Sequence, residues 1–123
     1  MNNLIFDEVT VVICSFFSHE KLSKLISTID KKFKILIIDN ARQFNIKNYY
    51  NNFSNVDYYI PEKDLGLSRS YNYALYNVST PYMFVTQPDV TLEPDTINKL
   101  YEINSIEKLV NEDIKKTHDS HVR

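Results

Sequence analysis

The sequence predicts an α/β fold with three layers, a mostly parallel sheet of about four strands between helices. Two short, β-branched, continuously apolar runs carry that prediction, Val9 to Cys14 and Lys34 to Asp39. Such runs suit strands buried on both faces, as parallel sheets require. Between them Leu22, Leu25, Ile26 and Ile29 recur at i, i+3, i+4 and i+7. That spacing makes one amphipathic stripe facing a sheet. Strand, helix and strand in this order form a βαβ unit with a right-handed crossover.

Each element has its own signals. The first strand ends at Ser15-Phe16-Phe17, and Ser18 is placed to cap the following helix, with Glu20 in its first turn. The stretch from Asn40 to Asn55 is polar, with scattered aromatics at Phe44, Tyr49, Tyr50 and Phe53, and has room for a short helix. Val56 to Ile60 alternates like an edge or half-buried strand and is stopped by Pro61. Beyond the turn Glu62 to Gly66, residues Leu67, Tyr71, Ala74, Leu75 and Val78 recur at helical spacing, and Ser79-Thr80-Pro81 ends that helix. Tyr82 to Thr86 reads as a fourth strand. Pro94 suits the first position of a last helix with Ile97, Leu100 and Tyr101 on its apolar face. Ile106, Val110 and Ile114 fit a continuation, and the polar stretch from Lys115 to Arg123 reads as a frayed tail.

With 123 residues the chain accommodates one compact domain, its core at about 9–103 and its polar tail at about 115–123. Acidic and basic residues are interspersed along the chain, with a net charge of −2, which leaves no basic footprint for nucleic acid. The N-terminal residues Met1 to Glu8 carry two acids and a three-residue apolar stretch, unlike a signal peptide or membrane span, so cytoplasmic residence is expected. Cys14 is the single cysteine and sits in an apolar run, where a thiol behaves as a small core hydrophobe. His19 falls near a helix start and His118 and His121 in the polar tail, positions suited to solvated imidazoles.

In an open parallel sheet, ligands bind beyond the carboxyl ends of the strands. The residues there are Ser15-Phe16-Phe17, Asp39-Asn40 and Gln87-Pro88-Asp89. They offer an aromatic face, a carboxylate able to accept from a base or ribose, and a second carboxylate suited to a hard cation. Taken singly, each has a plainer explanation: Asp39 as a strand terminus, Phe16 as a core aromatic, Gly66 as a turn residue, Arg69 as a solvated helix charge. Asp89 is the exception, because few structural needs put a carboxylate just after a strand and a proline.

Their order and spacing resemble family 2 of the glycosyltransferases, which share the GT-A nucleotide-diphospho-sugar fold, over roughly Thr10 to Tyr101. Val11 to Phe17 is similar to the family's first strand, with Ser15 and Phe16 where a small hydroxyl residue and an aromatic flank the base; Phe17 stands where the family often has asparagine. Ile35-Leu-Ile-Ile-Asp39 resembles the strand whose aspartate reads the base. Asp64 to Asn72 looks like the loop in which a glycine is followed six residues later by a helical asparagine, here Gly66 and Asn72. Glycine at that point lets the backbone approach a ligand, and the helix start favours a diphosphate. Phe84 to Val90 resembles the metal motif, with Asp89 as the metal-binding aspartate and Gln87 in place of the first acid.

The resemblance implies an inverting glycosyl transfer from a nucleotide-diphospho-sugar to an acceptor hydroxyl of a saccharide or lipid-linked molecule, as in polysaccharide biosynthesis. It implies a divalent cation, Mg²⁺ or Mn²⁺, held weakly without nucleotide because Gln87 brings no charge. In the family the catalytic base and the acceptor pocket come from the second half of the domain, so the chain is expected to be a truncated GT-A domain, incomplete as a catalyst alone. A truncated sheet exposes an edge or an apolar face, which predicts self-association or a partner chain covering it. The alternatives are an active transferase completed by a partner chain, a non-catalytic nucleotide-binding fragment, and a flavodoxin-like signalling domain with Asp39 as phosphoacceptor.

Overall fold

The computed structural model describes residues 4–103. In chain order the elements are α1 (Leu4–Glu8), β1 (Val9–Ser15), α2 (His19–Thr28), β2 (Lys34–Asp39), α3 (Phe44–Tyr50), β3 (Val56–Tyr59), α4 (Gly66–Asn77) and β4 (Tyr82–Thr86). Residues 96–103 are again helical. The expected continuation through Ile114 and the polar tail lie outside the described residues.

The four strands are all parallel, in the order β3-β2-β1-β4. The chain steps outward from β1 to β3, then crosses through α4 to the other side of β1 for β4. The direction of winding therefore reverses between β1 and β4, and a crevice opens at such a point beyond the carboxyl ends. Ser15 pairs with Asp39 at the top of β1 and β2, while Thr86 ends β4 level with Ile13.

Side chains alternate across the sheet, as the period of a strand dictates. Val11, Ile13, Ile35 and Ile37 face a layer supplied by Leu22, Leu25, Ile26 and Ile29, with Tyr50 and Ile97 completing it. Val12, Cys14 and Ile38 face the other way, against Ala74 and the half-buried Tyr71, Tyr73 and Val78. All seven residues of β1 are buried, which explains why its sequence does not alternate between apolar and charged positions. The three-layer α/β prediction therefore holds.

Several details differ from expectation. The core begins before Val9: α1 places Ile5 in it, 3% exposed. Tyr101 donates to Glu8 at 2.9 Å and ties residues 96–103 to that first helix. Ser18 does occupy the cap position of α2 but makes no capping bond; its hydroxyl donates to the Phe16 carbonyl at 2.8 Å. Pro94 lies in a turn and the helix begins at 96, because Thr96 N–H first closes on the Glu93 carbonyl. On α4 the buried stripe runs through Ser70 and Ala74, while Leu67 and Leu75 are exposed. Leu75 is one residue, about 100°, round the helix from Ala74.

Two buried acids of the core set an alkaline limit on stability. Burial pushes the Cys14 thiol from its ordinary 9.0 up to about 11, with a contact from Ser70 pulling partly back. Burial, with a smaller contribution from Tyr49, raises Tyr50 from 10.0 to about 12. Both groups hold their protons to higher pH in the folded chain than in the unfolded one. Their stabilisation is whole below pH 9 and is lost as pH climbs toward 12. Denaturation midpoints are expected to be level up to about pH 9 and to fall from there toward pH 12, and Cys14 is expected to resist alkylation at pH 8 until the chain unfolds.

Candidate functional site

The crevice at the top of the sheet is built from the segments that leave the carboxyl ends of the strands. After β1, Phe16 and Phe17 stand 56% and 66% exposed, their ring centroids 4.9 Å apart and nearly perpendicular. Phe17 has φ 49°, a left-handed conformation that costs an ordinary residue about 1–2 kcal/mol. Two large apolar rings thus face solvent from a strained turn, at the place where a ligand is expected. Ser15, directly beneath them, is buried.

Asp39, the last residue of β2, is fully buried, and both its oxygens are engaged. Oδ1 accepts from the Ala41 N–H at 2.9 Å, while Oδ2 accepts from the Gln43 N–H at 2.8 Å and the Tyr58 hydroxyl at 2.7 Å. Tyr58 responds: burial first, then the bond to Asp39, drives its ionisation far above the ordinary range. The carboxylate folds the loop after β2 around itself and fastens it to β3. That loop presents Arg42, exposed and also left-handed at φ 57°, with its guanidinium 5.8 Å from the Phe44 ring. In the sequence Arg42 carries no signal beyond its place three residues after a strand.

Asn40 does a different job. Its backbone N–H donates to the Ser15 carbonyl at 2.9 Å, joining the tops of β2 and β1. Its side chain donates to Ser70 Oγ at 2.9 Å and accepts from the Leu65 N–H at 3.1 Å. Ser70 in turn donates to the Gly66 carbonyl at 2.6 Å. This chain of bonds pins the loop before α4, and the start of α4, to the ends of β1 and β2. Neither Asn40 nor Ser70 carried a sequence signal beyond position.

Gly66 opens α4 with φ +68°, and its N–H donates to Asp64 at 2.8 Å. A Cβ there meets nothing within 4 Å, so glycine is required by backbone conformation rather than space. Gly66→Ala is expected to lower stability by about 1 kcal/mol and Gly66→Asn by less, in chemical denaturation. Asn72 is exposed, on the side of α4 opposite Ser70 and Ala74.

Gln87 and Asp89 are both exposed, on a turn closed by the Val90 N–H to the Gln87 carbonyl at 3.1 Å, with Pro88 buried between them. Asp89 lines a 230 Å³ cavity with Lys21 and Lys24 of α2. No cluster of three or more His, Cys, Asp or Glu able to hold a metal occurs among the described residues. One free carboxylate beside a neutral amide fits a Mg²⁺-like ion that takes most of its ligands from diphosphate oxygens and water. It does not fit a metal caged by protein alone.

The Phe16–Phe17 turn, the pinned start of α4 and the turn that begins at Gln87 each follow the carboxyl end of a parallel strand. A family model described as Glycosyl transferase family 2 matches residues 10–109. Comparison with curated proteins gives no match.

Proposed function

The chain belongs to glycosyltransferase family 2, and from that premise we propose that its strand ends bind the nucleotide of a nucleotide-diphospho-sugar donor. The observation that carries this reading is the bond chain Asn40–Ser70–Gly66, which ties the start of α4, with the first-turn amides that follow the Gly66 N–H already held by Asp64, to the ends of β1 and β2. A diphosphate is the natural ligand of such amides. Phe16 and Phe17 supply faces for the base, Ser15 and the loop shaped by Asp39 border it, and Gln87 reaches the ribose. Asn72 is exposed on α4, six residues beyond Gly66, with its amide open to a ligand.

The proposed reaction is a single displacement with inversion. The acceptor hydroxyl oxygen attacks the anomeric carbon, the bond from that carbon to the diphosphate oxygen breaks, and the hydroxyl proton passes to a carboxylate base. Asp89, with Gln87 beside it, would hold Mg²⁺ or Mn²⁺, which supplies positive charge to the leaving diphosphate. Lys21 and Lys24 put further positive charge beside Asp89. No described helix is long and apolar enough to cross a membrane.

The geometry argues against a flavodoxin-like receiver. Asp39 has no exposed oxygen to phosphorylate, and the strand order is not the 2-1-3 start of that fold. Calorimetric titration with a panel of nucleoside diphosphates, with and without Mn²⁺, tests the donor-site reading. One base is expected to bind best, and more tightly with Mn²⁺; heat from none of them, under either condition, removes the proposal.

A further inference from the structure

A roomy cleft lies away from the strand ends, between α2 and α3. It measures 690 Å³ and is lined by Ser23 and Ser27 of α2, Tyr49 and Tyr50 of α3, and Asn52 and Phe53 of the loop beyond α3. A volume of this size is that of a ligand site.

Its chemistry is mixed in a particular way. Tyr49, Tyr50 and Phe53 form a continuous aromatic group, with centroid separations of 4.9, 5.3 and 5.4 Å. Tyr49 is 48% exposed. Around the rings stand small hydroxyl and amide groups. Ser23 and Asn52 make no side-chain hydrogen bond to any described residue. Tyr50, 1% exposed, forms part of the inner wall, and its hydroxyl is buried without a hydrogen-bond partner among the described residues. A buried hydroxyl without a partner bears its desolvation uncompensated, so the wall carries an unmet polar demand.

Flat apolar faces edged by neutral donors and acceptors match a sugar ring. The C–H bonds on one face of a pyranose are electron-poor and pack on the negative face of an aromatic ring, while its hydroxyls need partners around the edge. A purely apolar partner would leave the serine and asparagine groups unmatched. A phosphorylated one would find Lys31 as the single cation lining the cleft among the described residues.

We propose that the cleft between α2 and α3 is a second saccharide-binding site, separate from the donor site and suited to a neutral glycan. Tyr49 is its exposed stacking platform, and Asn52 and Ser23 its rim. The inner wall is braced from behind, since Tyr50 stacks on Tyr58 at 5.5 Å and 13°, and Tyr58 is the residue held by Asp39. The site rests on its own geometry, so it stands or falls apart from the donor reading.

The test is an amide NMR titration of the full chain with maltose, cellobiose, lactose and N,N′-diacetylchitobiose, with glucuronic acid and an unrelated peptide as further arms. Shifts are expected at Tyr49, Asn52 and Phe53 with at least one neutral disaccharide. Tyr49→Ala, at an exposed position, is expected to weaken that binding by at least about tenfold while leaving the nucleoside diphosphate titration unchanged. Asn52→Ala gives a second variant with little risk to folding. Shifts confined to the strand ends, response only to the peptide or to glucuronic acid, or no response to any disaccharide, would each overturn the proposal.

Discussion

Asp39→Ala is expected to lose about 3–5 kcal/mol of stability, a large share of what a domain of this size possesses. The carboxylate is wholly buried and accepts from two backbone N–H groups and the Tyr58 hydroxyl. Removing it leaves three buried or half-buried donors with no acceptor and a void beside them. Each unmet donor costs about 1–3 kcal/mol, and the sum is tempered because the loop can open to water. Tyr58→Phe removes one donor and leaves the carboxylate two others, so about 1–2 kcal/mol is expected from it. The two changes share a bond and are expected to combine less than additively in a double-mutant cycle. Urea denaturation measures all three variants; an Asp39→Ala midpoint within about 1 kcal/mol of the parent would mean the carboxylate is not the pillar its bonds indicate.

The same residue shows how far the sequence could be read. A strand ending at Asp39 was legible, because an unbroken apolar run leaves few other assignments. What the carboxylate does was not, since its partners come from a loop and from β3, which local periodicity does not connect to it. Asn40 and Ser70 were illegible for the same reason: a polar residue bonded across thirty positions looks in sequence like any solvated one. On α4 the difficulty was geometric. Leu67 and Leu75 fit a helical stripe as well as Ser70 and Ala74 do, and only contact with β1 and β2 decides which faces inward. Strand order, too, depends on the side to which α4 carries the chain, and no residue of β4 announces a pairing with β1.

Those long-range contacts also fix how Asp89 can be tested without disturbing the fold. Asp89→Asn is expected to weaken Mn²⁺-dependent binding of a nucleoside diphosphate by about tenfold or more, equivalent to about 1.4 kcal/mol, while changing stability by no more than about 0.5 kcal/mol. The small stability effect stems from exposure: Asp89 has neither a salt bridge nor a side-chain hydrogen bond among the described residues. The binding effect stems from charge, because it is the carboxylate of that turn and an amide in its place brings a hard cation no charge. Lys21 and Lys24 remain beside the altered turn, so metal-free affinity for the diphosphate is expected to persist. Gln87→Asp supplies the opposite arm. A second carboxylate two residues away is expected to raise Mn²⁺ affinity in the absence of nucleotide, where the parent is expected to bind weakly. If Asp89→Asn retains the parent's full response to Mn²⁺, the cation is held elsewhere; if Gln87→Asp gains none, the two side chains do not converge on one ion.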